Sequence, residues 1–333
     1  MKPLFASLAA LCFWLPLQAN AEPVTLKIAT ISPDGTSWMR AFREAAKQVS
    51  DETQGRVKLR YYPGGVMGDD KSMLRKIRIG QLHGGALSSS GLAAINPDTQ
   101  IYALPFIFRD YQEVDRARKE FDPIILGKIK EGGFISYGLI EGGFAYMMSK
   151  RKLTTLDEAR GHKIWSPEGD RISRTALEAL GVAPVPLPIT DVLTGIQTGL
   201  IDTLSAPPTV AIALQWHTGV KHLTDMPLLY IYGTLAISEK ALDGISPEDQ
   251  AILQRVLTKT LADLDTAGRA DDKSATEALH KQGIQFDAPD PKEAELWRQK
   301  VTAAVDGLRG DGEISPELTQ KLRAYLDKLR SGN

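Results

Sequence analysis

An α/β protein of two lobes is the fold class this sequence predicts, and three observations carry that prediction. Strand-like and helical segments alternate, the chain of 333 residues is longer than one core comfortably fills, and no flexible linker divides it. Val24 to Thr30 has strand character, and Ser37 to Thr53 repeats apolar side chains at helical spacing through Trp38, Phe42, Ala45, Ala46 and Val49. Val57 to Tyr62 then returns to strand. Strands separated by helices need crossover connections, hence a mostly parallel sheet with helices on both faces.

The alternation continues with a helix from about Asp70 to Ile79 and a run of small and apolar residues from Gly84 to Ser90. Ala103 to Phe108 and Phe134 to Ile140 read as further strands or extended segments. A second lobe follows, with a strand at Lys163 to Ser166 and helices at Asp170 to Leu180 and Ile189 to Thr198. Gly199 closes the last of these, because glycine accepts the left-handed conformation at a helix end. Leu200 to Leu204 and Leu228 to Ile237 are strand-like.

Ser246-Pro-Glu-Asp249 is a helix start, with a serine cap, a proline in the first turn and acids at the positive end of the dipole. Helical spacing then runs to about Leu279, roughly 33 residues or ~50 Å if unbroken. Such a helix outruns one lobe and braces two. Gly268, costing about 1 kcal/mol relative to alanine, marks where it would bend or break. Ile314-Ser-Pro-Glu317 repeats the cap and opens a final helix to Leu329. The resulting division is 1–21 as an export segment, 22–147 plus 235–270 as lobe I, and 148–234 plus 271–333 as lobe II.

The export segment rests on Lys2, the apolar stretch Leu4 to Leu17 and the small-x-small site Ala19-Asn20-Ala21, with cleavage after Ala21. That stretch is too short to span a bilayer, and nothing after it reaches the ~20 apolar residues of a membrane helix, so no direct membrane insertion is expected. The sole cysteine, Cys12, lies inside this segment between Leu11 and Phe13, which do not make a lipid-attachment site. No disulfide, thiolate nucleophile or cysteine metal site is then expected in the mature chain. With 40 basic and 41 acidic side chains, the charge balance gives no patch of the size that nucleic acid requires.

The chain contains no Gly-x-Ser-x-Gly elbow, no His-Glu-x-x-His, no phosphate loop, no dinucleotide fingerprint and no acidic calcium loop. Ser88-Ser89-Ser90-Gly91 is open to three readings: a nucleophile, a ligand-facing strand end lined by hydroxyls, or a polar turn. His217 and His222, five apart, do not share a helix face as a metal pair would. Asp69 and Asp70 are read as a helix cap in a favourable dipole rather than a metal site, so neither metal nor cofactor is expected.

Three stretches, in order and at matching spacing, carry a family resemblance. They are Gly64-Gly65-Val-Met-Gly68-Asp-Asp70 with Ile79-Gly80-Gln81-Leu82 after its helix, Leu104-Pro-Phe-Ile-Phe-Arg-Asp-Tyr111, and Arg160-Gly-His-Lys-Ile-Trp165-Ser-Pro-Glu-Gly-Asp170 through Leu180-Gly181 and Pro184-Val-Pro-Leu-Pro188 to Gln197-Thr-Gly-Leu-Ile-Asp202. Together they resemble the DctP-type solute receptors of tripartite ATP-independent periplasmic (TRAP) transporters. The resemblance implies a two-lobed periplasmic binding protein fold with a mostly parallel sheet in each lobe, an inter-lobe cleft and a long bracing helix. It also implies a periplasmic protein without enzymatic activity that closes on a small-molecule solute and docks on a permease of a small and a large membrane subunit.

Receptors of this kind typically grip an organic acid with an arginine after the Lys-Ile of the second-lobe strand, often with another in the crossover strand. A guanidinium suits that task because its planar fork matches a carboxylate. Here those positions hold Trp165 and Ala145, and the polar pair after the aspartate is Ser205-Ala206. The implied pocket is more neutral and more aromatic, for an organic acid or a less charged, aromatic or polyhydroxylated compound. Trp165 offers a flat face and an N–H donor, or else merely fills space between the lobes. The candidate ligand-binding residues are Thr30, Ser88, Ser89, Trp165, Glu168, Arg171, Ser205 and Trp216. The alternative is a periplasmic hydrolase using Ser88 or Ser89, which lacks a recognisable partner base.

Overall fold

The computed structural model describes residues 23–308 and 314–332, so the expected export segment and Cys12 lie outside the described residues. In chain order the elements are β1 (Val24–Thr30), α1 (Ser37–Glu52), β2 (Val57–Tyr62), α2 (Asp70–Arg78), β3 (Gly84–Ser88), the single turn α3 (Ser89–Leu92), α4 (Tyr111–Glu131) and β4 (Phe134–Ile135). Next come β5 (Ile140–Ser149), α5 (Leu156–Ala159), β6 (Trp165–Pro167), α6 (Arg171–Ala179), β7 (Val185–Leu187), α7 (Val192–Thr198), β8 (Thr203–Ala206), α8 (Pro208–Ala213) and β9 (His222–Thr224). The chain closes with β10 (Leu229–Ser238), α9 (Pro247–Lys281), β11 (Gln285–Asp287), α10 (Pro291–Asp306) and α11 (Pro316–Arg330).

The main sheet has the order β11-β9-β5-β10-β3-β1-β2, with β4 on β10 and β8 on β5. Parallel pairing holds where helices connect neighbours, between β1 and β2, β1 and β3, β9 and β11, and β6 and β7. The expectation of mostly parallel sheets is corrected to a mixed sheet, because β5 and β10 run antiparallel to their partners. These two strands carry the chain across and back, so each enters a sheet from the end opposite to the strands made by crossovers.

β5 belongs to both halves of the molecule. Its first part, Ile140 to Ala145, pairs with β10, and its last part, Tyr146 to Ser149, pairs with β8. The register shifts opposite Ile231 and Tyr232, leaving Gly142 as the extra residue of a bulge. Gly143 next to it has φ +93, a conformation that needs glycine, and side-chain atoms of Asp272 and Tyr111 close the space where a Cβ would point.

The long helix α9 runs unbroken over 35 residues, capped by Ser246 on the Asp249 amide. It does not break at Gly268, where the glycine serves a close approach: an added Cβ would lie 3.1 Å from the Glu141 carbonyl oxygen of β5. Leu253, Val256, Leu257, Leu261 and Leu264 enter the core shared with α1, β1 and β2. Leu279, near the other end, enters the core around Trp165, Trp216 and Ile196. One helix thus ties two apolar cores together.

Charge reinforces the tie. Arg118 of α4 donates to Asp265 of α9 at 2.7 Å and pairs with Asp122, while Arg269 of α9 pairs with Glu141 of β5 and with Asp115 of α4. Two long helices escape the sequence reading, as do the short α3, α5 and α8. α4 begins where Asp110 caps the Glu113 amide and accommodates Pro123 inside it, and α10 packs its Trp297 and Val301 into the core that also takes Ile172 and Leu177 of α6. Ala103 to Phe108 is no strand: a 3₁₀ turn covers Pro97–Ala103, and Phe106 sits at φ +59 with its amide on the Leu228 carbonyl. No helix among the described residues is long and apolar enough to cross a membrane.

Candidate functional site

A cavity of about 420 Å³ opens where α2, β3 and α3 face β6, α6 and β8. Its lining draws on both ends of the chain order seen above, with Ile31, Asp70 and Ser88 on one side and Trp165, Arg171 and Ser205 on the other. Strand ends and helix starts converge there, as ligand sites do on α/β sheets. The volume lies in the range of small-molecule pockets.

Seven of the eight sequence candidates line this cavity: Ser88, Ser89, Trp165, Glu168, Arg171, Ser205 and Trp216. Thr30 does not. It lies at the end of β1, 2% exposed, and its hydroxyl accepts the Ser32 amide beneath the lining, so the strand end positions a turn rather than a contact. Ala145 is fully buried between strands and is not part of the lining.

Trp165 opens β6 and is only 6% exposed, with its indole N–H donated to the Leu187 carbonyl at 3.0 Å. The free donor expected from sequence is therefore already used within the protein. The ring meets Trp216 edge-on, centroids 5.4 Å apart, so two indoles form one apolar wall with Ile189 and Val210 nearby. Trp216 itself is 2% exposed, held in a 3₁₀ turn after a left-handed Gln215.

Ser88 ends β3 and caps α3 through the Gly91 amide. Its hydroxyl donates to Asp70 Oδ2 at 2.6 Å and lies 3.0 Å from the Ser90 hydroxyl. A hydroxyl tied to a carboxylate, in a cavity whose lining contains no histidine, gives a hydrolytic reading no support. Ser89 is 3% exposed.

Asp70, read from sequence as part of a cap, belongs to the cavity wall; Asp69 is the cap, accepting the Ser72 amide. Burial pushes the Asp70 carboxyl up to about 6, against the lowering effect of its two Ser88 hydrogen bonds. Neither spacing nor residue type marks Asp70 out, since only the fold brings Ser88 beside it. Asp170 caps α6 on the Ser173 amide, and burial raises its pKa as well.

Across the mouth, Lys71 Nζ approaches Glu168 Oε1 at 3.7 Å, joining α2 to the loop after β6. Arg174, three residues along α6 from Arg171, pairs with Glu178 at 2.8 Å. The lining thus carries Asp69, Asp70, Glu168 and Asp170 against Lys71 and Arg171.

Comparison with known proteins places this architecture. Residues 28–310 match the model of DctP, the bacterial extracellular solute-binding protein family 7. The C4-dicarboxylate-binding periplasmic protein DctP of Rhodobacter capsulatus is 23% identical over 308 residues, 90% of each chain. Among solved structures, the sugar acid binding protein DctPAm of Advenella mimigardefordensis, in complex with galactonate, superposes with TM-score 0.84 at 20% identity, covering 93% of this chain and 99% of that one. A TRAP periplasmic solute binding protein of Xanthobacter autotrophicus with bound β-D-galacturonate gives TM-score 0.81 at 19% identity, covering 90% and 99%. The family match spans most of the chain and the two-lobed fold agrees with it; the chain belongs to the DctP family of bacterial extracellular solute-binding proteins.

Proposed function

We propose that this protein captures one small organic solute in the cavity between its lobes, closes on it, and delivers it unaltered to a TRAP permease of a small and a large membrane subunit. One observation carries the proposal: the cavity is walled by residues from both sides of the molecule, so a bound solute bridges them. Contacts available only in the closed arrangement favour that state by their differential free energy. The Lys71–Glu168 pair already spans the mouth.

In this reading lobe I comprises 22–147 plus 235–270 and lobe II 148–234 plus 271–333, with two refinements. β10 is one continuous strand across the 234/235 boundary, and α11 joins lobe I through Arg330 on Glu113 and Tyr325 on the Arg116 carbonyl of α4. Secretion follows cleavage after Ala21, which places the protein in the periplasm. The contact residues are Ser88, Ser89, Trp165, Glu168, Arg171, Ser205 and Trp216. Their mixture of indole faces, hydroxyls and charges suits an organic acid or a less charged, aromatic or polyhydroxylated solute.

A thermal-shift screen against sugars, polyols, aromatic acids, amines and dicarboxylates tests this reading. A ligand at 100 times its dissociation constant adds ~2.7 kcal/mol of stability. Compounds that raise Tm should also reduce the radius of gyration in solution scattering and be recovered intact by mass spectrometry. Conversion of the compound, or binding without compaction, would overturn the proposal.

A further inference from the structure

Where the chain crosses between the lobes, one carboxyl group touches both of them. Asp272 of α9 accepts a hydrogen bond from the Tyr111 hydroxyl at the start of α4, in lobe I, at 3.3 Å, and another from the Thr209 amide of α8, in lobe II. Between the two runs β5, at the bulge where its register shifts. Gly143 brings that strand so close that an added Cβ would lie 3.3 Å from the Asp272 carboxyl carbon and 3.3 Å from the Tyr111 hydroxyl oxygen. Three elements therefore hold this group, and their mutual position depends on how the lobes stand.

The lobes are together here. Lys71 and Glu168 approach to 3.7 Å across the mouth, and a Cβ on Gly65 would lie 3.2 Å from Thr190 Cγ2 on the opposite side. In this arrangement Asp272 Oδ1 is buried without a hydrogen-bond partner, although the residue as a whole is only partly buried. An ionised carboxylate so placed is costly, and a proton on it lowers the cost. Parting α4 from α8 would open the junction and let water supply the missing partner instead.

Among the described residues no cation pairs with Asp272. Arg269, one turn earlier on α9, lies over the Tyr111 ring with its Cζ 4.5 Å from the centroid, but its hydrogen bonds go to Asp115 of α4 and Glu141 of β5. Glu141 itself disfavours a charge on Asp272. Burial and the neighbouring Asp272 push the Tyr146 hydroxyl of β5 up to about 12 and raise Tyr111 as well, so both stay neutral. Asp271 is turned to Ser37 of α1 at 3.0 Å, and α8, Pro-Thr-Val-Ala-Ile-Ala, brings no titratable group.

We infer that Asp272 is a proton-linked hinge contact, whose carboxyl group is protonated while the lobes are together and gives up its proton when they part. The inference rests on the solute-capture reading above. With a value of about 6 in the buried junction and the ordinary carboxyl value of about 4 in water, acid favours closure. The closed-to-open ratio then grows as pH falls from about 7 toward 4.

Pulsed electron resonance on the solute-free protein tests this, with nitroxide labels at Glu44→Cys on α1 and Gln197→Cys on α7, exposed positions on the two lobes. The native cysteine, Cys12, lies in the expected export segment. The closed-to-open ratio should be about tenfold higher at pH 5 than at pH 8 in the otherwise unaltered protein, and constant within twofold in Asp272→Asn. Tyr111→Phe keeps the ring under Arg269 but removes a hydrogen bond that favours the carboxylate, so the same change should occur at higher pH.

A ratio that changes less than twofold with pH, that changes equally in Asp272→Asn, or whose midpoint is unmoved by Tyr111→Phe overturns the role of Asp272. If glucuronate, succinate, glucitol or benzylamine still shortens the distance between the labels, solute capture stands. One unvarying distance at every pH, with these four compounds and with the wider screen, overturns both.

Discussion

Trp165 donates its indole N–H to the carbonyl oxygen of Leu187 while its ring stands edge-on to Trp216, so a side chain that walls the cavity is also a beam of the second core. Trp165→Ala should therefore destabilise the unliganded protein by about 3–5 kcal/mol, the cost of emptying a buried indole site, as well as weaken binding. Trp165→Phe keeps a ring and loses the hydrogen bond, so a loss of about 1 kcal/mol is expected. Urea denaturation of the two variants checks both figures. An alanine variant with an unchanged midpoint would remove Trp165 from the core.

Lys71 and Glu168 meet across the cavity mouth at 3.7 Å with side chains 70% and 49% exposed. Exposed pairs are worth about 0–1 kcal/mol, so this contact trims the open–closed balance rather than setting it. Lys71→Ala should weaken solute binding about two- to fivefold at low salt, an effect that fades as ionic strength rises toward ~1 M. Calorimetry at two salt concentrations reads the difference. A weakening that persists in high salt would mean that Lys71 touches the solute directly.

Gly268 gives α9 its close approach to the Glu141 carbonyl of β5. In an open helix, Gly268→Ala would stabilise by about 1 kcal/mol. Here the new methyl group presses on a strand that Arg269 and Asp265 already hold, so stability should fall instead. The denaturation midpoint decides the sign, and a more stable alanine variant would show that β5 yields freely at this point.

Asp272 lies where α9 passes β5 and α4, accepting a hydrogen bond from the Tyr111 hydroxyl at 3.3 Å while its Oδ1 has none. Burial raises its pKa to about 6, against hydrogen bonds from the Thr209 amide and Tyr111. A folded-state pKa above the unfolded value means that the folded protein binds the proton more tightly. Its contribution to stability is complete below about pH 4 and is lost as pH rises through about 6. Asp272→Asn should match wild type near pH 4 and exceed it at pH 7.5 by on the order of 1–3 kcal/mol. Denaturation at the two pH values measures this, and equal stability at both would show that the carboxylate is well solvated.

Local order was legible in the residues themselves. The alternation from Val24 to Tyr62, the caps at Ser246 and Ser315, and the left-handed stop at Gly199 are short-range chemistry, and each appears where the pattern places it. The family frame was legible too, because turn glycines and cap residues recur at set intervals. α4 was not, since Pro123 and charged residues break its apolar stripe and only packing against the core stabilises it.

What tertiary structure alone decided lies in contacts between distant segments. That β5 and β10 pair antiparallel, that Gly268 is an approach and not a break, and that the Trp165 N–H is already used depend on partners 22 to 127 residues away in the chain. The same holds for Asp70. Its sequence neighbours describe a helix start, and only the folding of β3 alongside sets Ser88 against one of its oxygens and leaves the other without a partner. Spacing along a chain encodes helix and turn, whereas burial and the pairing of polar groups are properties of the assembled interior.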